Sequence, residues 1–415
     1  MRLVCLYLIV LCLSVIACSK SPADTPTPTP PVNPPADTIP TTNPPTNPVN
    51  TDTVPTLVEY TPKGLISFGT VGGTQQLFIN CINPDLSVRW TANLPGNIIS
   101  PYSFVSNDHY IFMLTSTYIT GNTRTNLTRM DPATGQILFQ KIYDNLYGTS
   151  FTLKGDSVLI GGSPGNSTNG VIVIVDKNSG NLLSTTTLPG GYRPALMTVD
   201  GNKLYFQAST VGVTFRTMAY DLTNNSVIWS IPPPLQTINT DSKVFSYGGS
   251  LIAAGNGKVV AMSKADGSSI WSATVPGTTN YIYGNDRIYS FTENKLVALD
   301  AASGAGSWQW QNDTTMYSRG SFEGKNVFVM ITQNAAPYYQ FLSINTLTGK
   351  LYYRRALSKG FETVQAVGRY SYAFNLKDNI DHLGNKPTKL FKFDNRTGFA
   401  VDSAMVGYGY FGVAE

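Results

Sequence analysis

The chain has 415 residues, with 29 Lys and Arg against 25 Asp and Glu and a formal net charge of +4. The cations are scattered rather than clustered, which argues against nucleic acid as a partner, and two histidines disfavour a metal site built from several imidazoles. Charged residues make up only 13% of the chain, a composition typical of a β-rich protein outside the cytoplasm.

The first segment has the pattern of an export signal. Residues 1–17 contain one cation, Arg2, followed by an apolar run over residues 3–16 that is too short for a spanning helix. The run ends in Val15-Ile16-Ala17-Cys18, which resembles the lipobox of bacterial lipoproteins. The resemblance implies that Cys18 is lipidated. Because the next residue is Ser rather than Asp, it also implies the outer membrane, with the periplasmic or surface-exposed side left open.

A Pro/Thr-rich stretch follows Cys18. Residues 18–56 hold 12 of the 26 prolines and almost no apolar bulk, which predicts an extended linker without a core. The predicted domains are therefore a signal peptide (1–17), the lipidated Cys plus linker (18–56) and a folded domain (57–415). Cys81 is the one cysteine of the folded domain, and its apolar surroundings predict a buried, unreactive thiol.

The folded domain repeats one phrase. Residues 296–308 (LVALDAASGAGSW) predict a strand, a tight turn from Asp300 to Gly304, and a second strand that carries Trp308. The Asp can accept hydrogen bonds from backbone N–H groups two and three residues on, and the Gly supplies a positive φ. Related phrases lie at 127–139, 171–183, 217–229 (with Asn225 in place of Gly), 259–271, 341–353 and 390–401, with a degenerate copy at 77–90.

The turn residues recur every 37 to 49 residues, which predicts a β-propeller. Eight copies predict eight blades of four antiparallel strands, and seven blades remain the alternative. One strand is missing before the first copy, and residues 406–413 form an orphan strand after the last. We therefore predict that the C-terminal strand pairs into the first blade and closes the ring, which removes open edges.

Connectivity separates two faces of such a ring. The tight turns share one face, and the longer connections share the other, including residues 116–126, 163–170, 232–241, 333–339 and 377–389. Long loops on a rigid scaffold are the usual location of binding sites. The candidate partner-binding loop residues are Tyr118, Arg124, Tyr338, Tyr339 and His382, and packing within the loops is the alternative role of the tyrosines.

The residues that could be taken for catalytic groups are better explained by structural roles. The repeated aspartates occupy the turn position, and the G-x-S-x-G match at residues 161–165 is followed by a predicted loop and strand rather than the helix that a nucleophile elbow requires. No catalytic, cofactor-binding or metal-binding residue is predicted.

The pattern Ala298-x-Asp300-x-x-Ser303-Gly304-x-x-x-Trp308 resembles the tryptophan-docking repeat of the PQQ-like β-propellers. That family includes quinoprotein dehydrogenases and BamB-like envelope lipoproteins. The resemblance implies that the outer-strand aromatic of each blade packs against the next blade. This position holds Trp90, Phe139, Ser184, Trp229, Trp271, Trp308, Tyr353 and Asp402 in the successive copies.

The predicted function is that of a lipid-anchored, non-catalytic binding or scaffold module of the cell envelope. Its partners would be the membrane, through Cys18, and a protein or envelope polymer on the long-loop face. We expect a monomeric propeller without a cofactor. Two alternatives stay open: a PQQ-dependent dehydrogenase of alcohols or sugars that uses calcium, and a carbohydrate-binding component of a glycan-uptake system.

Overall fold

A computed structural model describes residues 64–71, 76–97, 100–106, 109–119, 122–165, 167, 169–209, 215–232, 243–312, 316–333, 336–358, 360–361, 363–375, 388–406 and 410–414. The predicted signal, Cys18, the linker and His382 lie outside these residues. The described structure is almost entirely β, with one 3-10 turn at Pro189–Gly191. No helix within it is long and apolar enough to cross a membrane.

In each of the first four blades, four strands follow one another from the ring axis outwards. Blade 1 comprises β32 (Tyr410–Ala414), β1 (Gly64–Val71), β2 (Gln76–Ile82) and β3 (Val88–Asn97); blade 2, β4 (Ser100–Ser106), β5 (Ile111–Ile119), β6 (Asn122–Met130) and β7 (Ile137–Asp144); blade 3, β8 (Leu146–Lys154), β9 (Ser157–Pro164), β10 (Val171–Asp176) and β11 (Leu182–Thr187); blade 4, β12 (Arg193–Asp200), β13 (Lys203–Ser209), β14 (Phe215–Asp221) and β15 (Ser226–Ile231).

The remaining four blades have the same order. Blade 5 comprises β16 (Lys243–Tyr247), β17 (Ser250–Gly255), β18 (Lys258–Ser263) and β19 (Ser269–Thr274); blade 6, β20 (Thr278–Gly284), β21 (Arg287–Thr292), β22 (Lys295–Asp300) and β23 (Gly306–Gln311); blade 7, β24 (Met316–Glu323), β25 (Asn326–Gln333), β26 (Tyr339–Asn345) and β27 (Leu351–Leu357); blade 8, β28 (Thr363–Val367), β29 (Tyr370–Asn375), β30 (Thr388–Asp394) and β31 (Ala400–Val406).

The eight sheets form a closed ring. The innermost strands of neighbouring blades contact one another, except that blade 5 meets blade 6 through β17 and β20. The strand β32 lies between β28 and β4 and pairs antiparallel with β1, with Gly64 opposite Ala414 and Phe68 opposite Tyr410. The predictions of eight blades, four antiparallel strands per blade and closure by the C-terminal strand are confirmed.

The ring has the two faces that the connectivity predicts. We call the face with the tight turns (first to second and third to fourth strand) the turn face, and the opposite one the loop face. Because β1 is a second strand, Gly64 lies at the turn face. The chain therefore enters the propeller on the side opposite the loop face.

The tight turns use the predicted chemistry. Asp300 Oδ1 accepts the backbone N–H groups of Ala302 and Ser303 at 3.1 and 2.9 Å, and Gly304 has φ = 72°. Asn225 takes the same conformation at 51°. The degenerate turn of blade 1 places Leu86 at φ = 67°, a conformation that the sequence pattern did not predict and that β-carbon sterics disfavour.

A β-bulge follows each of these turns and orients the outer strand. In blade 6 the register shifts between Ala298 and Leu299, so that Trp308 lies directly opposite the small Ala298. Ala also opposes Trp229 and Trp271. The inserted residue points outwards, and in blade 5 it is Ile270, which is 51% exposed.

The hydrophobic core lies between adjacent blades. One cluster, for example, joins Tyr289 and Phe291 of blade 6 to Val327 and Val329 of blade 7, all fully or almost fully buried. Each sheet has apolar residues on both faces because both faces meet a neighbouring blade. The seams between blades are therefore the positions at which outer-strand side chains determine the packing.

Candidate functional site

The outer-strand aromatics dock on the turns of the next blade. A Cβ on Gly304 would lie 2.4 Å from Trp271 Cε3, and one on Gly349 would lie 2.7 Å from Trp308 Cδ2, so only glycine fits beneath these rings. The remaining docked pairs are Trp90 on Gly135, Phe139 on Gly180, Trp229 on Gly267 and Tyr353 on Gly398. The predicted docking is thus present at six seams.

Three of these indoles also bond across the seam. Trp90, Trp229 and Trp308 each donate Nε1–H to a backbone carbonyl in the tight turn of the next blade, at 3.0, 3.1 and 2.8 Å. The carbonyl belongs in each case to the second residue of that turn. The acceptors belong to Pro132, Lys264 and Thr346. Each bond satisfies a carbonyl that would otherwise lose its hydration at the seam.

Two seams that lack tryptophan use a cation on the third strand instead. Arg129, opposite Phe139, donates to the Lys177 carbonyl at 3.4 Å, and Lys392, opposite Asp402, donates to the Pro84 carbonyl at 2.6 Å. Burial lowers the pKa of Lys392, although the Asp402 and Asp85 carboxylates oppose that effect. At the seam after blade 3, Ser184 opposes Ile174 and supplies no aromatic ring.

Closed four-stranded blades joined by docked aromatic rings define an eight-bladed β-propeller of the tryptophan-docking type. The model of the family described as "Outer membrane protein assembly factor BamB" matches residues 123–282, which run from β6 to β20. Over these residues the chain resembles the PQQ-like β-propellers, and it is distantly similar to BamB. No curated protein sequence matches it significantly.

Solved structures show the same fold. BamB from Moraxella catarrhalis is 16% identical, with a TM-score of 0.51 over 75% of this chain and 88% of that one. The dihydro-heme d1 dehydrogenase NirN, in complex with DHE, is 12% identical, with a TM-score of 0.58 over 86% and 77%. Apo AztD from Citrobacter koseri is 11% identical, with a TM-score of 0.56 over 86% and 98%. At these identities the likeness concerns the fold.

Three of the candidate loop residues lie in strands: Tyr118 in β5, Arg124 in β6 and Tyr339 at the start of β26. The segment 116–126 was expected to form a loop, but β5 and β6 continue as a paired ladder to Ile119 and Asn122, with Tyr118 opposite Thr123. Arg124 therefore lies in β6, and its Nε forms an ion pair with Asp144 Oδ1 at 2.7 Å. The side chains of Arg124 and Asp144 are 41% and 72% exposed, so solvent screens the ion pair and it adds little stability.

Tyr338 and Tyr339 differ in exposure. Tyr338 is 57% exposed at the loop face, whereas Tyr339 begins β26 and its ring packs so closely over Gly360 that a Cβ there would lie 2.5 Å from Cε1. Tyr339 therefore has the packing role that was the alternative. Tyr338 is the candidate that a partner can contact.

A buried amide network holds the backbone beside Tyr338. Gln333 and Gln340, 6% and 0% exposed, both donate side-chain N–H groups to the Pro337 carbonyl, at 2.6 and 3.3 Å. Gln333 N–H also donates to the Tyr338 carbonyl at 2.8 Å. Asn312 of blade 6 donates to Gln333 Oε1 at 2.9 Å, which ties the loop to the neighbouring blade.

The charged side chains divide unequally between the faces. Aspartates fill the tight turns of the turn face, where hydrogen bonds from Ser303, for instance, lower the pKa of Asp300. Within two positions of the loop-face strand ends, the charged residues whose side chains are described comprise seven cations and two carboxylates. The cations are Arg124, Arg193, Arg216, Lys258, Lys295, Arg355 and Lys389, and the carboxylates are Asp144 and Glu293. The described part of the loop face therefore has a positive surplus.

The described residues do not fit the calcium site that a quinoprotein requires. The eight inner strands contain two carboxylates, Asp200 and Glu323, and each ends its strand at the turn face. No three His, Cys, Asp or Glu residues are grouped for metal binding within the described structure. Ser163 of the G-x-S-x-G match is 2% exposed within β9. The absence of a cofactor stays a prediction.

Cys81 is fully buried in the core of blades 1 and 2, as predicted. Burial raises the pKa of its thiol to about 11, and the nearby Arg89 only partly opposes this. A thiol with this pKa is protonated at neutral pH and is therefore a poor nucleophile.

Proposed function

We propose that this protein is a lipid-anchored propeller of the cell envelope that binds a protein partner on its loop face without catalysing a reaction. The observation that carries the proposal is Tyr338, an exposed aromatic side chain next to backbone fixed by buried amides. Exposed tyrosines on preorganised backbone are favourable contact residues, because little conformational entropy is lost on binding.

The charge distribution and the direction of the chain support the same face. The described strand ends of the loop face carry a positive surplus, which favours an acidic partner and accelerates its association. The chain enters at Gly64 on the turn face. An anchor at Cys18 would therefore be connected to the propeller through the turn face, which the proposed partner does not use.

Site-specific photocrosslinking tests the partner. A photoreactive phenylalanine analogue replaces Tyr338 or, as the control, Leu347, which is 48% exposed on the turn face of the same blade. We expect position 338 of the full-length protein in its native envelope to form a discrete protein adduct, and position 347 to form none. Equal adducts at both positions, or none at 338, would contradict the proposal.

Two further measurements test the anchor and the class of function. The mass of detergent-extracted protein should show a lipidated Cys18, and Cys18→Ser should release the protein into the soluble fraction. Protease treatment of intact cells then determines the side of the outer membrane. Saturable binding of PQQ and calcium with alcohol or sugar turnover would establish the dehydrogenase instead, and selective retention on a glycan array would establish carbohydrate binding.

A further inference from the structure

A cleft of about 290 Å³ lies between blades 2 and 3, across the ring from Tyr338 in blade 7. Its walls are Tyr143, Asp144, Asn145, Leu146, Pro164, Val171, Val173, Leu182 and Thr185. Most of this surface is aliphatic or aromatic, and Asp144 and Asn145 lie where β7 passes into β8. The outer strand β11 forms one side of the opening.

The cleft is preformed. The Tyr143 hydroxyl donates to the Gly180 carbonyl at 2.8 Å, which fixes the ring against blade 3. On the other side, Thr125 Oγ1 donates to the Leu146 carbonyl and accepts the Gly148 N–H, both at 2.7 Å. A ligand that enters this cleft does not first have to order its walls.

The strand beside the cleft has an unprotected edge. It reads LLSTTT, it is the outermost strand of its sheet, and all its residues except Thr186 are exposed. Proteins commonly block such edges with charged residues or proline, because an edge presents unpaired N–H and C=O groups. The outer strands β15, β19 and β23 also lack charge, but each has more of its residues partly buried.

Exposed apolar side chains lie on the two outer strands next to the cleft, and one of them, Leu182, lines it. Leu182 and Leu183 on β11 are 57% and 58% exposed, and Leu138 and Ile142 on β7 are 46% and 55% exposed. Four of the twelve large exposed hydrophobic side chains of the described structure thus lie on two neighbouring outer strands. Of these four, Leu182 faces the cleft, because Leu138 and Leu183 are the inserted bulge residues and Ile142 lies on the opposite face of β7 from Tyr143.

We propose that β11 binds an extended, uncharged polypeptide strand of a partner protein, and that an apolar side chain of this strand fills the cleft. Main-chain hydrogen bonds to the free edge would provide affinity, as in other cases of strand addition. Side chains alternate along a strand, so every second residue of the added strand points to the same side as Leu182 and Thr185, which is the side of the cleft.

The lack of charge on β11 and the aliphatic walls of the cleft favour an uncharged strand as the occupant. A charged segment would lose hydration against the aliphatic walls and would gain no partner on β11, which has no charged residue. The charged lining residue, Asp144, is already paired with Arg124. The volume is at the lower end of small-molecule pockets, which begin at roughly 300 Å³, and suits one or two side chains. The site is separate from Tyr338 and does not depend on the function proposed for that residue.

The test uses the full-length protein and a short, capped, fluorescently labelled peptide of alternating leucine and threonine. Fluorescence anisotropy measures binding, and hydrogen exchange locates it by slower exchange of the β11 amides. Leu182→Lys should weaken binding about tenfold or more, because it places a charge at the cleft opening. The control is Ile270→Lys on β19, an outer strand that is equally uncharged and does not line this cleft, and it should leave the affinity unchanged.

A second probe separates strand addition from simple apolar adhesion. The same peptide with N-methyl groups on alternate residues loses half of its donors while keeping its side chains. Methylation in one of the two alternating registers should abolish binding, and methylation in the other should not. The proposal would be overturned if Leu182→Lys bound the peptide as tightly as the wild type, or if both N-methylated peptides still bound. Dimerisation of the peptide-free protein through β11 would also overturn it. Crosslinking at Tyr338 is a separate result and is unaffected by these outcomes.

Discussion

Two glycines of blade 7 allow the energy of ring docking to be measured. Gly349 has φ = 71°, and a Cβ there would lie 2.7 Å from Trp308; Gly324 has φ = 54°, and a Cβ would meet nothing within 4 Å. Either change to Ala places an L residue in the left-handed region at a cost of about 1–2 kcal/mol. Gly349→Ala also overpacks the seam, which adds about 1–3 kcal/mol.

The expected loss in the free energy of unfolding is therefore about 2–5 kcal/mol for Gly349→Ala and about 1–2 kcal/mol for Gly324→Ala. Urea unfolding of the full-length protein, followed by far-UV circular dichroism, provides the comparison between the variants. Adding Trp308→Phe to Gly349→Ala should recover part of the excess, since the smaller ring leaves room for the methyl group. Equal losses for the two glycine variants would refute the docking argument.

Three further predictions concern single side chains. Lys392→Met removes the donor at the seam between the last and first blades and should cost about 1–3 kcal/mol in urea unfolding, because the bond involves a charged group; no change would contradict that assignment. Hydrogen bonds from Ser303 lower the pKa of Asp300 below its usual value, so its contribution to stability is present above the unfolded pKa and is lost as pH falls through the folded pKa. Asp300→Asn should retain the turn, as Asn345 does in its own turn, and should show a smaller loss of stability in acid than the wild type; an unchanged acid profile would argue against the assignment. Cys81 should resist iodoacetamide at pH 8 in the folded protein and react fully in urea, as measured by mass; rapid labelling of the folded protein would show that the thiol is accessible.

The fold could be predicted because every blade repeats its own local signals. The Asp and Gly of the turn, the small residue opposite the tryptophan and the spacing between copies each depend on residues close in sequence. Leu86 shows the limit of this reasoning, since its burial in the core offsets a backbone conformation that local preference disfavours.

The candidate site was predicted less completely. Tyr118 and Arg124 lie in a polar, Thr-rich stretch that reads as a loop, but the β-branched threonines extend the ladder of β5 and β6 instead. Lys392 and Pro84 are 308 residues apart, and only closure of the ring brings them together. The cleft beside β11 likewise combines residues of two blades, so no local sequence pattern could identify it.

The position of β32 has a consequence for biogenesis. Blade 1 takes its second, third and fourth strands from the beginning of the propeller but its innermost strand from a segment that follows all the others in chain order. A polypeptide that is synthesised from its N-terminus can complete the later blades while β1 still has a free edge towards the axis. The ring becomes continuous only when residues 410–414 have been delivered, so an interrupted or clipped chain keeps an unpaired strand that is open to aggregation and proteolysis.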